Sequence, residues 1–141
     1  MIAPHRPKMP PSLGVLAMDF FTIVRPEHLN QYGYLFGGNM LKWVDEYAYI
    51  AALREFPSCR FVTRAMDTAS FTQSVNNGAL LAFHINRAHM GNTSVTYKVD
   101  VHARNLQEHD WYDVFNIAVT MVAIDRNGHK QALPEPIDVN G

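Results

Sequence analysis

Only one stretch of this 141-residue chain carries helical periodicity, and that limits the folds open to it. From Asn39 to about Phe56 the apolar residues Met40, Val44, Tyr47, Ala48 and Ala51 recur at three- and four-residue spacing. Lys42 and Glu46 form an i, i+4 pair on another face, and Pro57 ends the helix. At roughly 18 residues it is about 27 Å long. The other patterned segments read as strands. Gly14 to Val24 is apolar with β-branched and aromatic residues and is closed by Arg25-Pro26. Phe61 to Phe71, Ala79 to His89, Thr93 to Arg104 and Val114 to Ile124 follow. Turn signals stand at Asn76-Asn77-Gly78, Gly91-Asn92 and Asp125 to Gly128. Thr93 to Arg104 alternates cleanly, with Val95, Tyr97, Val99, Val101 and Ala103 on one face and Thr96, Lys98, Asp100, His102 and Arg104 on the other. That is the pattern of a half-buried antiparallel strand.

One helix cannot cover both faces of a five-stranded sheet. The order predicts an α+β domain in which a long, curved antiparallel sheet wraps one central helix. Open sheet edges of that length invite pairing with a second copy. The length suits a single domain, expected over residues 14–141. Residues 1–13 hold four of the eight prolines and read as a flexible arm.

Composition excludes several function classes. Twelve Lys+Arg against thirteen Asp+Glu leave a net charge of -1, without the basic surplus that phosphate backbones demand. The lone cysteine, Cys59, rules out a disulfide within the chain and a cysteine-type zinc site, and it fits a reducing compartment. No apolar run approaches the roughly 20 residues of a membrane helix, and the Pro-rich start offers no apolar core of a signal peptide. The expectation is a soluble cytoplasmic protein with no nucleic-acid or membrane partner.

Chemistry concentrates in Asn30-Gln31-Tyr32-Gly33-Tyr34-Leu35-Phe36-Gly37-Gly38 and in Asp45. Gly37 and Gly38 fall where the helix begins. Lacking side chains, they let a ligand approach the free N–H groups of the first turn, where negative charge is stabilised. Asp45 lies seven residues after Gly38, nearly two full turns, so both point the same way. Helical side chains tilt toward the N-terminus, which leans the carboxylate back toward the glycines. Its stripe, with Leu41, Ala48 and Ala52, is otherwise apolar or small. The residues alone leave two readings. One is a general base or nucleophile beside an oxyanion pocket. The other is a carboxylate salt-bridged to an arginine at a wet edge.

The segment Asn30-x-x-Gly33-x-x-Phe36-Gly37-Gly38, six residues, then Asp45 resembles the hotdog-fold acyl-CoA thioesterases, in particular the bacterial broad-specificity and brain-type cytosolic acyl-CoA hydrolases. Val62-Thr63, Asp67 and Phe71 resemble that family's second strand. Gly91-Asn92-Thr93-Ser94 resembles its Gly-x-Thr-Ser turn, and Asp125-x-x-Gly128 followed by Ala132-Leu133-Pro134 its C-terminal segment. Together they span about residues 15 to 136. The resemblance implies a hotdog fold with the helix as sausage and the sheet as bun. It implies dimers joined sheet edge to sheet edge, commonly three dimers per assembly, and hydrolysis of an acyl-CoA to free acid and CoA as part of lipid metabolism. No cofactor is implied beyond the coenzyme A of the substrate itself, and no metal. Asp45 takes the position of the catalytic aspartate. Asn30 would orient water or carbonyl from the partner subunit, and the Gly38 N–H would hold the thioester oxygen. Phe36, Gly37, Met66, Arg87, Gly91, Asn92, Thr93 and Ser94 form the implied substrate-binding set, with Arg87 a partner for CoA phosphates. Relatives often carry an Arg-Pro pair after the phenylalanine, where this chain has Thr72-Gln73-Ser74, and Asn39 replaces a frequent aromatic after the glycines. The competing readings are a non-catalytic acyl-CoA-binding module, a thioesterase acting on acyl carrier protein, and a dehydratase, for which His28 is wrongly spaced.

Seven histidines raise the question of a metal. His84 and His102 lie on neighbouring strands and face one another in this reading, but no third ligand is evident. His28 borders the Asn30 loop. Trp43, Tyr47 and Tyr49 read as core or dimer packing.

Overall fold

A computed structural model describes residues 18–139. The expected arm, residues 1–13, and the start of the first strand lie outside the described residues. Five strands and one long helix follow in the predicted order: β1 (Met18–Ile23), a short 3-10 turn (Pro26–His28), α1 (Gly37–Glu55), β2 (Arg60–Phe71), β3 (Leu80–Met90), β4 (Ser94–Arg104) and β5 (Tyr112–Ile124). The strands form one sheet in the order β1-β3-β4-β5-β2, antiparallel throughout. This is the hotdog arrangement.

The helix lays Met40, Trp43, Val44, Ala48, Ala51 and Ala52 on the sheet, all buried. Three alanines in the second half let the backbone approach closely, and Phe83, Val99, Ile117 and Val119 fill the space beneath. Aromatic rings close one side: Tyr47 stacks on Phe20 with centroids 4.7 Å apart, and Trp43 meets Phe83 edge-on. These rings belong to the core, as expected.

The helix starts at Gly37, two residues before the expected Asn39, so both glycines lie inside its first turn. Helix propensity argues against glycine there. The Asn77-Gly78 turn is confirmed, with Gly78 at φ +84°, a backbone state that glycine adopts without penalty.

β2 forms one edge of the sheet and differs from the strands inside it. Among the described residues β5 is its only hydrogen-bonded neighbour. It is exposed along most of its length, broken by irregularities at Thr63/Ala65 and Asp67/Ser70, and Thr68 sits at φ +61°. A β-branched residue there is strained, and bulges are a usual way to blunt an edge. Among the described residues no helix is long and apolar enough to cross a membrane.

Candidate active site

The helix begins without a capping side chain. Phe36, the N-cap residue, is extended at φ −71° and ψ 129° and offers no acceptor to the first turn. The N–H groups of Gly37 and Gly38 are therefore open to a ligand, where the helix dipole favours negative charge. Aromatic rings border both glycines. A Cβ on Gly38 would stand 2.5 Å from the Phe36 ring, and one on Gly37 would stand 3.4 Å from the ring of Phe71. The preceding loop is tied down by its own polar groups. Asn30 Oδ1 accepts the N–H of Tyr32 at 2.8 Å and of Tyr34 at 3.1 Å. The carbonyl of His28 accepts both the Phe36 N–H and the Asn39 side-chain amide. Asn39, the residue that departs from the family pattern, thus clamps the glycine turn to the loop.

Asp45 is half-buried on α1 and lines a cleft with Lys42, Glu46, Tyr49, Phe61 and Thr63. The Thr63 hydroxyl donates to its Oδ1 at 2.5 Å. Met121 Sδ lies 3.4 Å from the same hydroxyl, but the carboxylate is the stronger acceptor for its one proton. Among the described residues no arginine pairs with Asp45. Thr63 belongs to the site, and the motif reading treated it only as part of a matching strand. The signal was parity: Phe61 and Thr63 share a strand face, and Phe61 is a core residue.

One expectation needs correction. Gly38 and Asp45 do point the same way, but seven residues of helix separate them by about 10 Å along the axis. Within one chain Gly37 and Asp45 line different clefts, and Gly38 lines neither. The cleft at the glycine turn has a volume of about 390 Å³ and is walled by Leu35, Gly37, Met40, Phe71, Val75 and Val114, with Thr72, Gln73 and Ser74 at its rim. Asn30 lines neither cleft.

The implied substrate-binding residues divide. The Gly91–Ser94 turn stands at the Asp45 end of the sheet, because Ser94 pairs with Val122 and Val122 with Val62. The turn is held by its own Gly91 N–H to Ser94 carbonyl bond and by Leu133, whose N–H bonds Asn92. Phe36 and Gly37 stand at the other end of β2. Met66 packs half-buried against the core and lines neither cleft. Arg87 is engaged elsewhere: its Nη1 lies 3.2 Å from the fully buried Glu55 carboxylate, which also accepts the Tyr97 hydroxyl at 2.7 Å. Sequence separation hid this triad.

The histidines have structural partners. His84 pairs with Asp19 at 2.8 Å and His102 with Asp113 at 2.5 Å, with the two rings 5.2 Å apart. Among the described residues no group of three or more His, Cys, Asp or Glu side chains converges on a metal position. His28 accepts the Arg25 N–H and packs edge-on against Trp43.

A helix wrapped by this sheet, with an acid on its middle turns and free donors at its start, defines a class of thioester-handling domains. The thioesterase superfamily model matches residues 32–108, more than half of the chain, and the chain belongs to that superfamily. It is 28% identical over 126 residues to an uncharacterized acyl-CoA thioester hydrolase of Haemophilus influenzae, covering 87% of this chain and 80% of that protein. An apo-hexameric acyl-CoA thioesterase superposes with a TM-score of 0.79 at 29% identity, covering 86% of this chain and 77% of the other. A hexameric hotdog fold thioesterase of Campylobacter jejuni gives 0.74 at 29% identity, covering 82% and 88%.

Proposed function

We propose that this protein hydrolyses acyl-CoA thioesters to free acid and CoA, with Asp45 as base or nucleophile. The observation that carries the reading is the Asp45–Thr63 pair: a half-buried helical carboxylate in an open cleft, oriented by one donor, on a chain of the thioesterase superfamily. Relatives named acyl-CoA thioester hydrolases support the substrate class.

Two copies make one site in this reading. The separation of Asp45 from the glycine turn within a chain supports it, as does the exposed β2 edge. Asp45 bonds Thr63 near the start of β2, and Gly37 packs on Phe71 at its end. Antiparallel pairing of two β2 strands about their middle sets the start of one beside the end of the other. Asp45 of one copy then faces the glycine turn of its partner. The thioester oxygen accepts the partner's Gly37 and Gly38 N–H groups, which stabilise its developing charge. Asp45 activates water or attacks the carbonyl itself, and the Thr63 hydroxyl holds its carboxylate in line. Asn30 keeps its amide N–H₂ for water or the carbonyl. The Gly91–Ser94 turn borders the CoA. The hexamers among similar structures support three such dimers per assembly. Coenzyme A enters as part of the substrate; no metal or redox cofactor takes part, and the buried free thiol of Cys59 suits a cytoplasmic setting.

Thiol release from a panel of acyl-CoAs, C2 to C18 and aromatic, tests the activity. Mixing tests the composite site. Asp45→Ala and Gly38→Val chains, each inactive, regain about a quarter of wild-type turnover when co-assembled, since half of random dimers hold one intact site. No recovery in a confirmed mixed dimer rejects the shared site.

A further inference from the structure

The cleft beside the glycine turn has no role in the proposed reaction beyond its mouth, and its shape has a consequence for substrate choice. Its floor is Met40, Val75 and Val114, each almost fully buried, so it ends against the core rather than running through. Its walls are Leu35 and the exposed ring of Phe71. Gly37 stands at the mouth, with its N–H at the start of α1. A thioester whose oxygen sits on those donors has its acyl carbons next to an apolar, closed-ended cleft. At about 390 Å³ the space is at the small end of ligand pockets.

We infer that this cleft receives the acyl group and makes the protein selective for short to medium straight-chain acyl-CoAs, with Phe71 and the Thr72–Ser74 rim setting the length limit. The inference rests on the thioesterase reading. At about 30 Å³ per packed methylene-sized group, a volume of about 390 Å³ holds on the order of a dozen carbons. Thr72 is fixed, because its N–H bonds the Val114 carbonyl and its hydroxyl the Asp113 carbonyl. Gln73 and Ser74 are exposed at the rim, and no bond fixes their side chains.

The test compares kcat/KM for acetyl- through hexadecanoyl-CoA in wild type and two variants, each first shown to fold and assemble like the wild type. Ser74→Phe fills the cleft and lowers the octanoyl-to-acetyl ratio of kcat/KM at least tenfold. Phe71→Ala widens it and moves the optimum two or more carbons longer. Wild-type turnover that falls steeply beyond about C12, with both shifts, supports the inference. Wild-type turnover with the same chain-length profile in both variants overturns the cleft assignment and leaves the thioesterase reading standing. No turnover by wild type on any acyl-CoA overturns both.

Discussion

Two carboxylates on one helix have opposite surroundings. Asp45, in the middle of α1, is partly open to solvent and is held by a single hydroxyl. Glu55, at the end of the same helix, is completely buried. It accepts a phenol and pairs with an arginine, while its backbone carbonyl accepts the N–H of Ile137. A carboxylate that gains or loses a proton during turnover needs access and spare lone pairs; one that anchors a fold needs neither. Charge type and helical position do not separate the two roles. The number of committed partners and the access of water do.

That contrast breaks if the two acids respond alike to removal. Asp45→Ala is expected to lower kcat/KM on the order of 10³-fold, within the range for a lost acid–base group, with thermal unfolding within a few degrees of wild type. Glu55→Ala is expected to destabilise by about 3–5 kcal/mol, because Arg87 keeps a charge in a partly buried site without its partner. Urea titration measures it, and turnover per folded site stays at the wild-type level. A variant of Asp45 that unfolds easily, or one of Glu55 that stays stable but inactive, reverses the assignment. The donors sharpen the comparison one step out. Thr63→Val is expected to cost roughly tenfold or more in kcat, with stability changed by less than about 1 kcal/mol, as for loss of a hydrogen bond to a charged group at a site that water reaches. Tyr97→Phe is expected to leave kcat unchanged and cost about 1–3 kcal/mol, since a buried acceptor loses its partner.

The smallest effect concerns pH. Tyr97 is pushed well above the ordinary tyrosine range, first by burial and then by its bond to Glu55 and that carboxylate's charge, with Arg87 opposing. Below about pH 10 the phenol is protonated in both folded and unfolded chains and has no effect. Above it the unfolded chain releases the proton and the folded one keeps it. Stability then falls by about 1.4 kcal/mol per pH unit from this group. Tyr112, raised by its own burial, acts in the same direction. Unfolding free energies from pH 9 to 11.5 should therefore slope less steeply in Tyr97→Phe, by about one proton.

Element types and order were legible because the signals were local. Thr93 to Arg104 alternates with a strict period of two, and the observed strand agrees within a residue. The helix end followed from Pro57. Its start was misjudged by two residues, because glycine is a poor helix former and the pair was read as the opening of the helix rather than as its first turn. The site was legible to the extent that it lies on one segment. Asp45 was marked by an acid on an apolar stripe. Arg87 was misassigned because its partner, Glu55, is thirty-two positions away on another element, and nothing local to either residue marks the pair. The axial distance between Gly38 and Asp45 was available from helix geometry all along; the shared direction of the two side chains hid it.

The position of β2 has a consequence for how the protein comes into being. Among the described residues, the strand that carries Thr63 and Phe71 bonds only to β5, the last strand of the sheet in chain order. A ribosome working at about 5–20 residues per second leaves β2 waiting several seconds for that neighbour. During the wait the nascent chain displays an unpaired strand beside a half-covered helix, the kind of surface on which chains stick to one another. Arg60, Arg64 and Asp67 along it, and the left-handed kink at Thr68, discourage such contacts until β5 arrives. The strand proposed to join two finished copies is thus the one most in need of protection while each is being made.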